Sequence, residues 1–194
     1  MDGTLTKPGA IDFSRLRARL ACPPGLDVLT WCERGPTPAE RAARSQIVIE
    51  EEMLGLRDTQ LMPDLSALSA FAAAHPSLRW ALLTRNNTAV RQHNAAALST
   101  AGLRFDEALS REWGGGPPKP HPAALLHLAA TWGVDASELA MVGDAADDIA
   151  CARAAGATAI LIGEGDEPGA KEGAHYHVPD LTSLAELLGK LASL

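Results

Sequence analysis

The sequence predicts an α/β protein, a parallel sheet with helices on both faces, together with a small all-helical region. Three observations carry that prediction. Short apolar runs at Trp80-Ala81-Leu82-Leu83, Leu139-Ala140-Met141-Val142 and Ala157-Thr158-Ala159-Ile160-Leu161-Ile162 alternate with segments of helical spacing. Those runs are almost continuously apolar, as strands buried on both faces are. Residues 7–58 show helical patterns and no strand pattern, so the alternation is interrupted there.

In chain order, Met1-Asp2-Gly3-Thr4-Leu5-Thr6 opens with a carboxylate and a turn-forming glycine. Residues 12–20 and 25–33 read as two short helices. Thr37-Pro38-Ala39-Glu40 is a capping box with proline at the first helical position, and it starts a helix to about Leu54. Leu65, Leu68, Phe71 and Ala72 place apolar groups on one helical face over 65–74. A further helix over 88–101 stops at Gly102. Pro122 begins another, which runs through Trp132 and stops at Gly133. The second apolar run is followed by a helix over 147–155, with Gly156 after it.

Bulk properties exclude several function classes. At 194 residues the chain is long enough for one domain with a small appendage. A net charge of −7 argues against broad binding to nucleic acid or an anionic membrane, both of which need a basic surface. The three cysteines, Cys22, Cys32 and Cys151, form no CxxC pair, so neither a disulfide framework nor a zinc site is supported. No apolar stretch approaches the length of a membrane span.

Ligands of open parallel sheets bind at the carboxyl ends of the strands, and Thr84 and Asp144 both fall there. Thr84 brings a hydroxyl, with Arg85 and Asn86 after it; a helix cap is the alternative reading of the same residue. Lys119 stands between prolines in Gly114-Gly115-Gly116-Pro117-Pro118-Lys119-Pro120, just ahead of a helix start where phosphate is favoured. Gly143-Asp144-Ala145-Ala146-Asp147-Asp148 crowds three carboxylates at a strand end. A divalent cation with oxygen ligands relieves that repulsion; an acidic helix N-terminus is the plainer alternative. Asp148 is spaced to reach back to Asp144 or Lys119, and Asp147 to face solvent. His121 reads as a loop histidine.

These segments, in this order, resemble the haloacid dehalogenase superfamily, and its phosphoglycolate-phosphatase-like branch with a small helical cap in particular. Asp2-Gly3-Thr4-Leu5-Thr6, Thr84, Lys119-Pro120 and Gly143-Asp144 with Asp148 carry the likeness. Leu61-Met62-Pro63-Asp64-Leu65 looks like the return from cap to core. Ala174-His175-Tyr176-His177-Val178 with Leu184-Ala185-Glu186-Leu187-Leu188 looks like the last strand and helix. The resemblance implies a Rossmann-like core at 1–6 and 59–194 and a cap at 7–58 acting as a lid. It implies a Mg2+-dependent phosphatase forming an aspartyl-phosphate on a small phosphorylated substrate. Asp2 would be its acid/base, Thr84 and Lys119 its phosphate clamp, and Gly3, Arg85 and Asn86 further substrate contacts. Asp2 (by its carbonyl) and Asp144 would hold the metal, with Asp148 in support.

The family's first motif reads Asp-x-Asp-Gly-Thr, and here Met1 occupies x. The resemblance therefore implies a nucleophilic Asp and a first core strand ahead of Met1. A non-catalytic relative that binds a phosphorylated ligand or protein partner is the alternative. A phosphoacceptor signalling domain fits less well, because its reactive Asp precedes the Thr and Lys. The expected setting is cytoplasmic, or an organelle if a targeting segment precedes Met1. A monomer or homodimer is expected.

Overall fold

A computed structural model describes residues 1–165 and 168–193. The chain divides into two compact units, Pro8–Gln60 and Met1–Lys7 with Leu61–Leu194.

The first unit is helical: α1 (Phe13–Leu20), α2 (Val28–Glu33) and α3 (Pro38–Gly55). Each begins at a polar cap of the kind its sequence advertises. The side chains of Asp12, Asp27 and Thr37 accept from Arg15, Thr30 and Glu40 backbone N–H groups, which satisfies donors that a helix start leaves unpaired. Leu16, Leu20, Val28, Cys32 and Val48 form its small core. Charge holds the rest: Arg15 and Arg19 both pair with Glu51, which is only 1% exposed, and Arg19 also pairs with Glu50. Arg17 donates to the Pro23 and Leu26 carbonyls.

The second unit contains β1 (Ala81–Leu83), β2 (Glu107–Leu109), β3 (Ala140–Gly143), β4 (Thr158–Ile162) and β5 (Tyr176–Val178). Interleaved helices are α4 (Leu65–Ala74), α5 (Thr88–Thr100), α6 (Ala123–Trp132), α7 (Ala146–Ala155), the short α8 (Ala170–Gly173) and α9 (Leu181–Leu191). All pairings among these strands are parallel. The mixed α/β architecture is the one the apolar runs predicted, although the strands lie in two pieces. One piece is β1–β2 and the other is β3–β4–β5. Within β4, Ala159 and Leu161 join a core with α6 and α7, while Ile160 and Ile162, equally buried, alternate to the other face. On that other side α4 and α9 pack together.

Two local differences from the sequence reading have simple causes. β2 went unforeseen because Glu107-Ala108-Leu109 is three residues long and carries one large apolar side chain. Pro122 precedes α6 instead of starting it, and His121 Nδ1 accepts from the Ala123 N–H at 3.1 Å, supplying the cap that proline lacks.

Candidate active site

Residues 1–6 form a tight turn at the carboxyl ends of both sheet pieces. The Met1 carbonyl accepts from the Leu5 and Thr6 N–H groups at 2.8 and 3.1 Å, and Gly3 N–H returns to the Thr6 carbonyl at 2.8 Å. The chain then pairs Thr6 with Leu61, and Met62 N–H donates to the Leu5 carbonyl at 3.0 Å. The residues that leave for the helical unit and those that return are therefore neighbours.

The turn is fastened to each sheet piece by one side-chain bond. Asn86, just after β1, donates from Nδ2 to Asp2 Oδ2 at 2.7 Å, while Thr6 Oγ1 donates to Asp2 Oδ1 at 2.9 Å. Both oxygens of Asp2 are thus held in place. Thr4 Oγ1 donates to Asp144 Oδ1, just after β3, at 2.7 Å. Gly3 makes this approach possible. Its φ is +76°, and a Cβ there would lie 2.0 Å from Asp144 Oδ2.

Thr84 follows β1 and is buried; its N–H bonds to the Leu109 carbonyl of β2 at 3.0 Å, and its Oγ1 accepts from Asn86 N–H at 3.1 Å. Lys119 arrives on the proline-rich loop after β2 and is only 9% exposed. Its ammonium donates to the carboxylate of Asp148, which stands in the first turn of α7 and is 4% exposed. The choice the sequence left open for Asp148 falls to Lys119. Gly143 gives it room, because a Cβ at that position would lie 2.2 Å from Asp148 Oδ2.

Asp144 and Asp148, four residues apart, are pushed in opposite directions. Burial raises the Asp144 carboxyl above the ordinary range, against the Thr4 hydroxyl, which lowers it. Burial also pushes Asp148 up, but the adjoining Lys119 ammonium helps to outweigh it, and the group ends below its ordinary value. The Cys151 thiol, buried beneath this pair, is pushed up to about 11, so it is inert as a nucleophile near neutrality.

Comparison with known proteins supplies the family. The sequence pattern of the haloacid dehalogenase-like hydrolases matches residues 1–156. The chain belongs to that family. Over 176 residues the hydrolase is 34% identical to a haloacid dehalogenase-like hydrolase domain-containing protein of Arabidopsis thaliana, covering 84% of this chain and 69% of the relative. It is 43% identical over 70 residues to a phosphoglycolate phosphatase of Chromobacterium violaceum, 36% of this chain and 32% of that one. In fold it resembles a putative phosphoglycolate phosphatase structure from Lactobacillus plantarum, with TM-score 0.74, 18% identity, and coverage of 96% of this chain and 95% of the other.

The hydrolase brings together Asp2, Gly3, Asn86 and Asp144 through direct bonds or contact, and Lys119 with Asp148 beside them. Arg85 is differently placed. Its Nη1 bonds Asp147 Oδ2 at 2.6 Å, so Asp147, whose side chain is 38% exposed and faces solvent as its spacing suggests, also ties α7 to the loop after β1. Sequence reasoning gave no role to the Thr4 and Thr6 side chains, which hold Asp144 and Asp2. A partial signal was present: hydroxyls close behind an Asp-Gly turn are suited to bond nearby carboxylates. Arg111 was also missed; it donates to the Arg85 carbonyl at 2.9 Å and its N–H to the Asn86 carbonyl at 3.2 Å, fixing the loop that carries Asn86.

Among the described residues no three carboxylate, imidazole or thiolate groups converge as a metal cage. The donor set nevertheless suits Mg2+, which takes hard oxygens and keeps waters or substrate oxygens alongside one or two carboxylates. Asp144 is a partly buried carboxylate that accepts from the Thr4 hydroxyl on one oxygen, and its other oxygen lies where a side chain at Gly3 would stand.

Proposed function

We propose that this hydrolase is a Mg2+-dependent phosphatase acting on a small phosphorylated metabolite, with a nucleophilic Asp on the residue directly preceding Met1. The observation that carries the reading is the meeting of Asp2, Asn86, Thr4 and Asp144 in one bonded chain across the strand ends, with the Lys119–Asp148 pair beside it.

Phosphoryl transfer depends mainly on positioning and on neutralising phosphoryl oxygens that repel an anionic attacker. Lys119 is buried and locked by Asp148, so it offers a fixed donor to those oxygens. The Thr84 hydroxyl offers a further donor. Asp2 is held by Asn86 and Thr6 in a position to serve the leaving oxygen. In the first step the preceding Asp carboxylate bonds phosphorus, the P–O ester bond breaks, and the protonated Asp2 carboxyl gives its proton to the departing oxygen. In the second, Asp2, now ionised, takes a proton from water as that water attacks the aspartyl-phosphate. Inorganic phosphate leaves, the Asp carboxylate is restored, and Asp2 is again protonated. Asp144 and the Asp2 carbonyl would hold Mg2+, which supplies charge neutralisation at the phosphoryl oxygens when bound.

Phosphate release from aryl and small alkyl phosphates tests this. The 194-residue chain should show negligible turnover. Addition of a Val/Ile-rich strand ending in Asp directly before Met1 should create Mg2+-dependent activity, and Asp144→Asn in that protein should lower it on the order of 100-fold or more. Inactivity across a panel of small esters would put a phosphate-binding, non-catalytic role in its place.

A further inference from the structure

Two consecutive residues in the first turn of α7 each hold a cation of the candidate site, and they hold it differently. Asp148 grips the Lys119 ammonium in a pair whose side chains are 5% and 8% exposed. Asp147 meets Arg85 at 2.6 Å in a pair whose side chains are 38% and 29% exposed. Parting the first pair strands charge in the interior, whereas parting the second returns both groups to water at little cost. Asp147 would also keep the N-terminus of α7 beside it, where a carboxylate is favoured. The Arg85–Asp147 contact is thus the one of the two that a competing anion can open.

The backbone beneath Arg85 is fixed even though its pairing is exchangeable. Thr84 and Asn86, on either side of it, are buried. The Arg85 carbonyl accepts from Arg111 Nη1 at 2.9 Å, and Asn86 N–H donates to Thr84 Oγ1 at 3.1 Å. The guanidinium therefore extends from a rigid base, between the residue that offers phosphate a hydroxyl and the residue that holds Asp2. We propose that Arg85 recognises a second anionic group on the substrate, carried by the part that leaves with the ester oxygen, and that Asp147 holds its place until that group arrives. The substrate class is then a small phosphate monoester bearing a further carboxylate or phosphoryl group, in preference to a neutral leaving group. A guanidinium suits this task, because its planar donors fit either anion with two parallel bonds. The charges also balance: the incoming anion replaces the Asp147 carboxylate at Arg85, and Asp147 turns to solvent.

The proposal deepens the phosphatase reading and rests on it for the placement of the phosphoryl group. Its test is metal-free calorimetric titration of the 194-residue chain with methylphosphonate, phosphonoacetate and methylenediphosphonate, none of them an ester. At least one two-anion probe should bind about 10-fold or more tighter than methylphosphonate. The tighter of the two says whether the second group is a carboxylate or a phosphoryl group. Arg85→Gln should erase that preference and Arg85→Lys should keep part of it. Asp147→Asn should widen it about 3-fold or more, because the competing carboxylate is gone. No preference in the parent, or a preference that Arg85→Gln leaves standing, would overturn the proposal. The double variant Lys119→Met with Asp148→Leu separates the two readings, and it should weaken all three probes. If it binds them as the parent does while Arg85→Gln still erases the preference, the phosphatase clamp falls and the Arg85 anion site stands without it. Weakened binding in the double variant with no preference in the parent does the reverse. Failure of every probe to bind sinks both.

Discussion

The β3–β4–β5 piece and the β1–β2 piece meet at one site but are stabilised by different means. β4 is buried from Ala159 to Ile162 and is paired on both sides, so its half of the sheet is held by apolar packing. β1 and β2 are three residues each and largely half-buried. Their half is laced instead by loop bonds, with Arg111 to the Arg85 carbonyl and Thr88 Oγ1 to Ser110 Oγ at 2.9 Å. Their chemistry differs as well. The β3 side supplies carboxylates, Asp144 and Asp148, while the β1–β2 side supplies a hydroxyl, an amide and a cation, Thr84, Asn86 and Lys119. The site is thus a junction of complementary halves, closed at the strand ends by polar bonds.

Removing one partner of the most buried tie should have the largest effect. Asp148→Ala leaves the Lys119 ammonium buried and unpaired, and urea unfolding should show a loss of about 3–5 kcal/mol. The double replacement Lys119→Met with Asp148→Leu should recover much of that, because neither side then buries a lone charge.

Acid should loosen the same tie. Asp148 is held below its ordinary value in the folded state, so its contribution is complete above the unfolded carboxylate value of about 3.9 and is lost as pH falls through the lower folded value. Asp148→Asn should flatten the dependence of stability on pH in that acid window. Asp144 carries the opposite sign. Its folded value is raised, so ionisation opposes folding, and the penalty grows as pH rises from about 3.9 through the folded value. Without metal, Asp144→Asn should therefore raise stability near pH 7. Added Mg2+ should raise the Tm of the parent protein and leave that variant unmoved.

The smallest effect is expected at Arg85–Asp147, whose side chains are 29% and 38% exposed. Arg85→Ala should cost under about 1 kcal/mol, and less in high salt.

The half that packing holds was the more legible in the sequence. Runs such as Leu139–Val142 and Ala157–Ile162 announce buried parallel strands, and Gly133 and Gly156 announce helix ends that take left-handed backbone. β2 was not legible because a three-residue strand leaves no periodicity, and its place comes from pairing with β1. At the candidate site, the residue types suited to phosphate and a metal could be picked out at Thr84, Lys119 and Asp144. Their mutual bonds could not. Whether Asp148 turns to Lys119 or Asp144, and whether Arg85 meets Asp147, depends on how the start of α7 approaches loops 29 and 62 residues away in the chain. Thr4 was passed over for the same reason, since its partner Asp144 is set by tertiary placement, whereas Thr6 meets Asp2 within the turn itself.

Coupling between Mg2+ and phosphate, measured by calorimetric titration of the 194-residue chain with inorganic phosphate, tests the junction most directly. If both halves form one centre, Mg2+ should tighten phosphate binding about 10-fold or more, Asp144→Asn should abolish that coupling, and Lys119→Met should weaken phosphate binding with and without the metal. Phosphate binding indifferent to Mg2+ and unchanged in both variants would contradict the account.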